Sequence, residues 1–90
     1  MEKAIITVVG HDAVGIIAKV CVYLADNNIN ILDISQTIVS GYFNMMMIVD
    51  IAESKAEFDT LCTELEEVGK KMGLVIKCQK EEIFNMMHRV

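Results

Sequence analysis

Ninety residues make one domain with a modest core and leave no room for a second module or a large enclosed active site. Thirteen acidic side chains against eight Lys and Arg give a net charge of −5 with no basic cluster, which argues against nucleic acid as a partner. Hydrophobic residues reach 53% and mean hydropathy is +0.41, high for so small a domain, so some apolar surface is expected to be covered by another subunit.

Cys21, Cys62 and Cys78 are far apart, form no Cys-x-x-Cys pair and read as core thiols. Met1-Glu2-Lys3 leads directly into a strand pattern without the apolar stretch and cleavage site of a signal peptide. No apolar run approaches the roughly 20 residues of a bilayer span. A cytoplasmic protein with no membrane partner is expected.

Ala4 to Val9 is β-branched and apolar on both faces, as in a central strand. From Val14 the period changes: Ile17, Val20, Cys21 and Leu24 recur at steps of three and four, an amphipathic helix that Asp26-Asn27-Asn28 ends. Asn30 to Ser40 returns to β character, and Ser40-Gly41 separates it from Tyr42 to Ile51, so the two runs predict a hairpin. In its second arm Phe43, Met45, Met47, Val49 and Ile51 share one face, while Met46 and Ile48 make the other face apolar too. Ser54 with Glu57 three residues on has capping-box spacing, and Phe58, Leu61, Cys62, Leu65, Val68 and Met72 follow on one helical stripe. Gly73 stops this helix. Leu74, Ile76 and Cys78 then alternate with Val75, Lys77 and Gln79 in a half-buried strand, and Glu81 to Val90 carries Ile83, Phe84 and Met87 in a short helix-like segment.

The order predicts an α+β fold, a ferredoxin-like βαββαβ sandwich with an antiparallel sheet and two helices on one face, plus a short C-terminal helical segment. One domain spans 1–90, with core 3–80 and an appendage at 81–90. The stretch with most chemistry is Gly10-His11-Asp12-Ala13-Val14-Gly15-Ile16, a Gly-bearing turn between strand and helix whose backbone N–H groups suit a small anionic group. It lacks a phosphate-loop Lys and the full dinucleotide fingerprint. His11-Asp12 has only His88 as a further His, so neither a metal site nor a cofactor is expected.

Asp12-Ala13-Val14-Gly15-Ile16, the helix after it, Asn30-Ile31-Leu32-Asp33-Ile34-Ser35-Gln36 and the element order resemble an ACT domain, over residues 3 to 80. Ile34-Ser35-Gln36-Thr37 and Phe43-Asn44-Met45-Met46 look most like the single-domain UPF0237 group. The resemblance implies a non-enzymatic regulatory module that binds an amino acid or similar small ligand, as a homodimer or higher homo-oligomer. It also implies an effector held between the first loop of one protomer and a strand of its neighbour. A polar residue three before the loop Gly and an Asn opening the second strand, the family's ligand positions, fall on Asp12 and Asn30. The chain departs from the family in having Val14 where Pro is frequent and an acid at Asp12.

The candidate ligand-binding residues are therefore Gly10, His11, Asp12, Ala13, Val14, Gly15, Ile16, Asn30 and Asp33. The carboxylate of an amino acid suits the helix start near Val14, Gly15 and Ile16, and its ammonium suits Asp12 or Asp33. The βαβ connection is expected to return Asn30 and Asp33 to a strand neighbouring this loop. The alternative reading is a protein–protein interaction subunit that regulates a partner, such as a metabolic enzyme, without a ligand of its own. No nucleophile with a base, paired carboxylates or metal spacing points to catalysis.

Overall fold

Strand β1 (Lys3–Gly10) occupies an inner place in a four-stranded antiparallel sheet of order β2-β3-β1-β4, paired with β3 (Tyr42–Asp50) on one side and β4 (Val75–Lys80) on the other. β2 (Asn30–Val39) pairs only with β3 and forms one edge. Helices α1 (Ile16–Asp26) and α2 (Phe58–Lys71) complete the expected β-α-β-β-α-β order. The computed structural model describes residues 1–11 and 15–81. The C-terminal segment expected from the sequence begins at its last described residue and otherwise lies outside them.

Period-2 alternation on the strands and the helical stripes meet in one cluster. Ala4, Ile6 and Val8 of β1, Met45, Met47 and Val49 of β3 and Ile76 of β4 face Ile16, Val20 and Leu24 of α1 and Leu61 and Leu65 of α2. Both helices therefore cover the same sheet face. Ile17 and Cys21, expected on the α1 stripe, flank this core half-buried, and Ile16 takes the deepest place at the first turn.

Two local departures have clear causes. Ser54 does not cap α2, which starts at Phe58 after Glu57. The Ser54 hydroxyl donates to the Ala56 carbonyl (2.8 Å) and accepts from the Ala56 N–H (3.2 Å), so it closes a turn that delays the helix. In β2 the register slips between Ile31 and Asp33, leaving Leu32 as a bulge. At the other end of α1, Asn28 adopts φ 60° and its side-chain amide donates to the Glu53 carbonyl (3.2 Å). The Lys55 N–H donates to the Asn27 carbonyl (3.0 Å), which joins the turns before β2 and before α2.

Between the helices and β4 lies a cluster of protonated groups. The Tyr23 hydroxyl donates to Glu64 Oε1 (2.9 Å), and the Cys62 thiol donates to the Cys78 carbonyl (3.4 Å). Burial pushes the Cys78 thiol above its ordinary 9.0, with Cys62 beside it adding to the rise. Burial also raises Tyr23 above 10.0, helped by the hydrogen bond to Glu64. Raised thiols are poor nucleophiles.

A pKa raised on folding means that the native state favours the neutral form. The stabilisation is complete below the unfolded pKa and is lost as pH climbs above it. Stability measured in urea is therefore expected to fall as pH rises past 9.0, with a shallower fall in Cys78→Ala. A second expectation separates the two faces of β3. Met47→Ala, at a fully buried site, should cost about 2–4 kcal/mol, and Met46→Ala, on the opposite face, less than about 1 kcal/mol. Denaturant midpoints for the two variants check the difference.

Candidate functional site

The first loop leaves the sheet where Gly10, the last residue of β1, pairs with Phe43. His11 follows, exposed, with its ring centroid 4.1 Å from that of Tyr42 and the planes inclined at 37°. The two rings form a small platform at the hairpin end of the sheet. Nothing in the sequence singles out Tyr42; its stacking on His11 follows from the β1–β3 register. Asp12, Ala13 and Val14 lie outside the described residues.

Gly15 resumes the chain as the residue before α1, at φ 76°. It does not act by leaving room for a neighbour, because a Cβ there would meet nothing within 4 Å. Its requirement is the left-handed backbone, which side-chain-bearing residues adopt at a cost. Among the described residues no side chain caps α1, and the Lys19 N–H donates to the Gly15 carbonyl (3.1 Å) as the first turn closes. The N–H groups of Ile16 and Ile17 thus stand at a helix start without an intrahelical acceptor, aligned with the positive end of the dipole. Ile16 itself anchors this start in the core.

Asn30 and Asp33 are elsewhere. Because β3 lies between β1 and β2, the strand after α1 is not the neighbour of β1. Asn30 pairs with Asp50, which pairs with Lys3, so it stands at the end of the sheet opposite Gly10. The eight residues of β1 put these ends about 24 Å apart. The bulge at Leu32 turns Asp33 to the sheet face away from the helices, beside Ile48, and its carboxylate accepts the Ile34 N–H (2.8 Å). One protomer therefore does not unite the loop with Asn30 or Asp33.

A hollow of about 440 Å³ lined by Met1, Glu2, Lys3, Lys80 and Glu81 also lies at the far end from the loop. It is crossed by the Lys80–Glu2 (3.4 Å) and Lys3–Glu81 (4.0 Å) ion pairs. Among the described residues no three His, Cys, Asp or Glu side chains converge as metal ligands, and no helix is long and apolar enough to cross a membrane.

The edge strand is the remaining distinctive surface. Nine of its ten residues are exposed. Ile34 and Ile38 pair with Met47 and Phe43 on the helix side of the sheet, yet keep 43% and 77% of their surface, because the helices do not reach over this strand.

Comparison with known proteins places this geometry. The ACT domain family model matches residues 2–79. A UPF0237 protein of Bifidobacterium longum is 60% identical over 90 residues, covering all of both chains. Among solved structures, an ACT domain protein from Streptococcus pneumoniae superposes with a TM-score of 0.81 at 43% identity, over 92% of this chain and 93% of that one. A formyltetrahydrofolate deformylase from Pseudomonas syringae shares the fold (TM-score 0.80, 22% identity), with 89% of this chain matching 28% of the enzyme. The chain is a member of the ACT domain family, in its UPF0237 group.

Proposed function

We propose that this protein is a non-enzymatic cytoplasmic sensor of an amino acid, which it binds between the first loop of one protomer and β2 of a second copy. The observation that carries this reading is the separation of the loop from Asn30 on a sheet whose β2 edge is open. A two-fold axis through that edge runs the two β2 strands antiparallel, so the loop end of each sheet comes beside the Asn30 end of the other.

The sequence of β2 suits such pairing. Natural edges are usually blunted by Lys or Pro. Residues 33–39 contain neither, and the bulge at Leu32 lies outside this stretch. Centring the pairing on Gln36 sets Ile34 opposite the partner's Ile38 twice over, Gln36 opposite its own copy and Ser35 opposite the partner's Thr37. A shift of the centre by one residue in either direction loses the isoleucine pairs. In the Gln36 register Val39, which pairs with Tyr42, faces the partner's Asp33, and the partner's Asn30 lies just beyond, past the hairpin end where His11 stacks on Tyr42. The side-chain amide of Asn30 makes no hydrogen bond among the described residues, which supports its use across the interface.

In the bound state the ligand carboxylate takes the free N–H groups at the start of α1, and Asp12 serves its ammonium. The partner's Asn30 orients it. Asp33, whose carboxylate already accepts the Ile34 N–H of its own strand, is assigned no ligand contact. The three free thiols support a reducing compartment.

The test is a thermal-shift screen of the amino acids together with sedimentation. At least one amino acid should raise the melting temperature in proportion to the logarithm of its concentration, since it binds only the folded state. Gln36→Pro should yield monomers and abolish that shift, while Gly15→Val and Asn30→Ala should weaken binding with helical content retained. A panel without any shift would overturn the sensor reading in favour of a ligand-free interaction subunit.

A further inference from the structure

α1 turns one flank to α2 and the other to the open strand. The Tyr23 hydroxyl reaches Glu64 of α2 (2.9 Å), so the Tyr23 side of α1 faces that helix. Lys19 and Asp26, four residues before Tyr23 and three after it, share this side and line a hollow between the helices together with Val68. Ile16, Val20 and Leu24 point into the core. Helical geometry then leaves Ile17 and Cys21, both half-buried, on the flank away from α2. α2 lies over β4, where the Cys62 thiol meets the Cys78 carbonyl, so this second flank looks toward β2.

β2 supplies a wall of the same chemistry. Ile34, Gln36 and Ile38 stand on its helix side, and its one charged residue, Asp33, stands on the other. Ile38 belongs to the row of Phe43 and Gly10, the row from which the first loop leaves, and lies two strand spacings, about 10 Å, from Gly10. Ile17 is in the first turn of α1. The two isoleucines thus border a trough at the end of the sheet where α1 begins, and the trough is open, since Ile38 keeps 77% of its surface beside a buried Phe43. Among the described residues neither α1 nor β2 directs a charged side chain into it.

We propose that the amino acid taken up at the start of α1 carries a branched aliphatic side chain, that of leucine, isoleucine or valine, and that this side chain lies in the trough between Ile17 and Ile38. This ligand class presupposes the sensor reading and narrows it. A charged group on the ligand's side chain would lose water here without gaining a counter-charge, whereas a branched hydrocarbon gains by leaving water. In the Gln36 register the partner's Ile34 stands opposite Ile38 and closes the trough with more carbon, while Gln36 faces its own copy.

Calorimetry on the full-length protein with a panel of amino acids tests this. Leucine, isoleucine and valine should bind at least about tenfold more tightly than alanine, glutamine, lysine or glutamate. Ile38 also meets the partner in the proposed pairing, and a loss of pairing alone moves every ligand by the same factor, so the variants are read by ratios of affinity. Ile38→Ala should lower the ratio of leucine to alanine affinity by about tenfold, and Ile38→Phe, which fills the trough, should favour valine over leucine. Val22→Ala, on the outer side of α1, should leave every ratio unchanged. A tightest ligand with an aromatic, amide or charged side chain would overturn the proposed class and leave the sensor reading standing, as would ratios that neither Ile38 variant moves. Binding of no amino acid at all would overturn both together.

Discussion

The insertion of β3 between β1 and β2 is the constraint from which the other properties of the molecule descend. β3 pairs antiparallel on both sides, and its alternate residues Met45, Met47 and Val49 are buried under the helices. A slip of one residue would exchange them for Asn44, Met46 and Ile48, so the register is held by the core itself. With β3 in that slot, α1 must carry the chain past it before β2 begins. β2 is then left with a single neighbour, and the first loop is separated from the start of β2 by the length of the sheet.

That separation explains how much of the molecule was legible in its sequence. The element order was, because each change of hydrophobic pattern is sharp: a short run apolar on both faces in β3, three-and-four spacing from Phe58 to Met72, alternation after Gly73. The strand order is a matter of non-local pairing, which period does not encode. A crossover that skips one place reads the same along the chain as one that does not, and so Asn30 was expected beside the loop. The bulge at Leu32 was hidden as well, since no Gly or Pro marks it. Simple alternation puts Asn30 and Asp33 on opposite faces of β2; the extra residue brings both to the face away from the helices.

The loop was legible in composition but not in cause. Gly15 stands out between strand and helix, where a glycine can serve either a close approach or a left-handed backbone. The structure shows open space and a positive φ, a demand made by the backbone as it turns into α1. The consequence for function is different in kind. A glycine that makes room is tested by a bulkier side chain, whereas one that fixes a conformation holds the helix start in place before any ligand arrives, reducing the ordering cost of binding.

On the proposed site, sensing and assembly are one equilibrium. A ligand held by the loop of one protomer and the strand of another binds the pair and not the single chain, so it draws protomers together by mass action. Linkage requires the effect to be mutual: whatever factor the ligand adds to association, association adds to ligand affinity. Each protomer carries a net charge of −5, and two of them repel at long range. The repulsion is screened within about 8 Å at physiological ionic strength, and Asp33 is the only charged residue of β2. Charge therefore sets a distant, salt-dependent opposition to pairing, while the edge contributes backbone hydrogen bonds and two isoleucine contacts that salt does not weaken. A neutral zwitterion added at the seam alters neither net charge nor fold. On that reading it changes only how much the close contacts outweigh the repulsion, and the shift in association is itself the report of ligand binding.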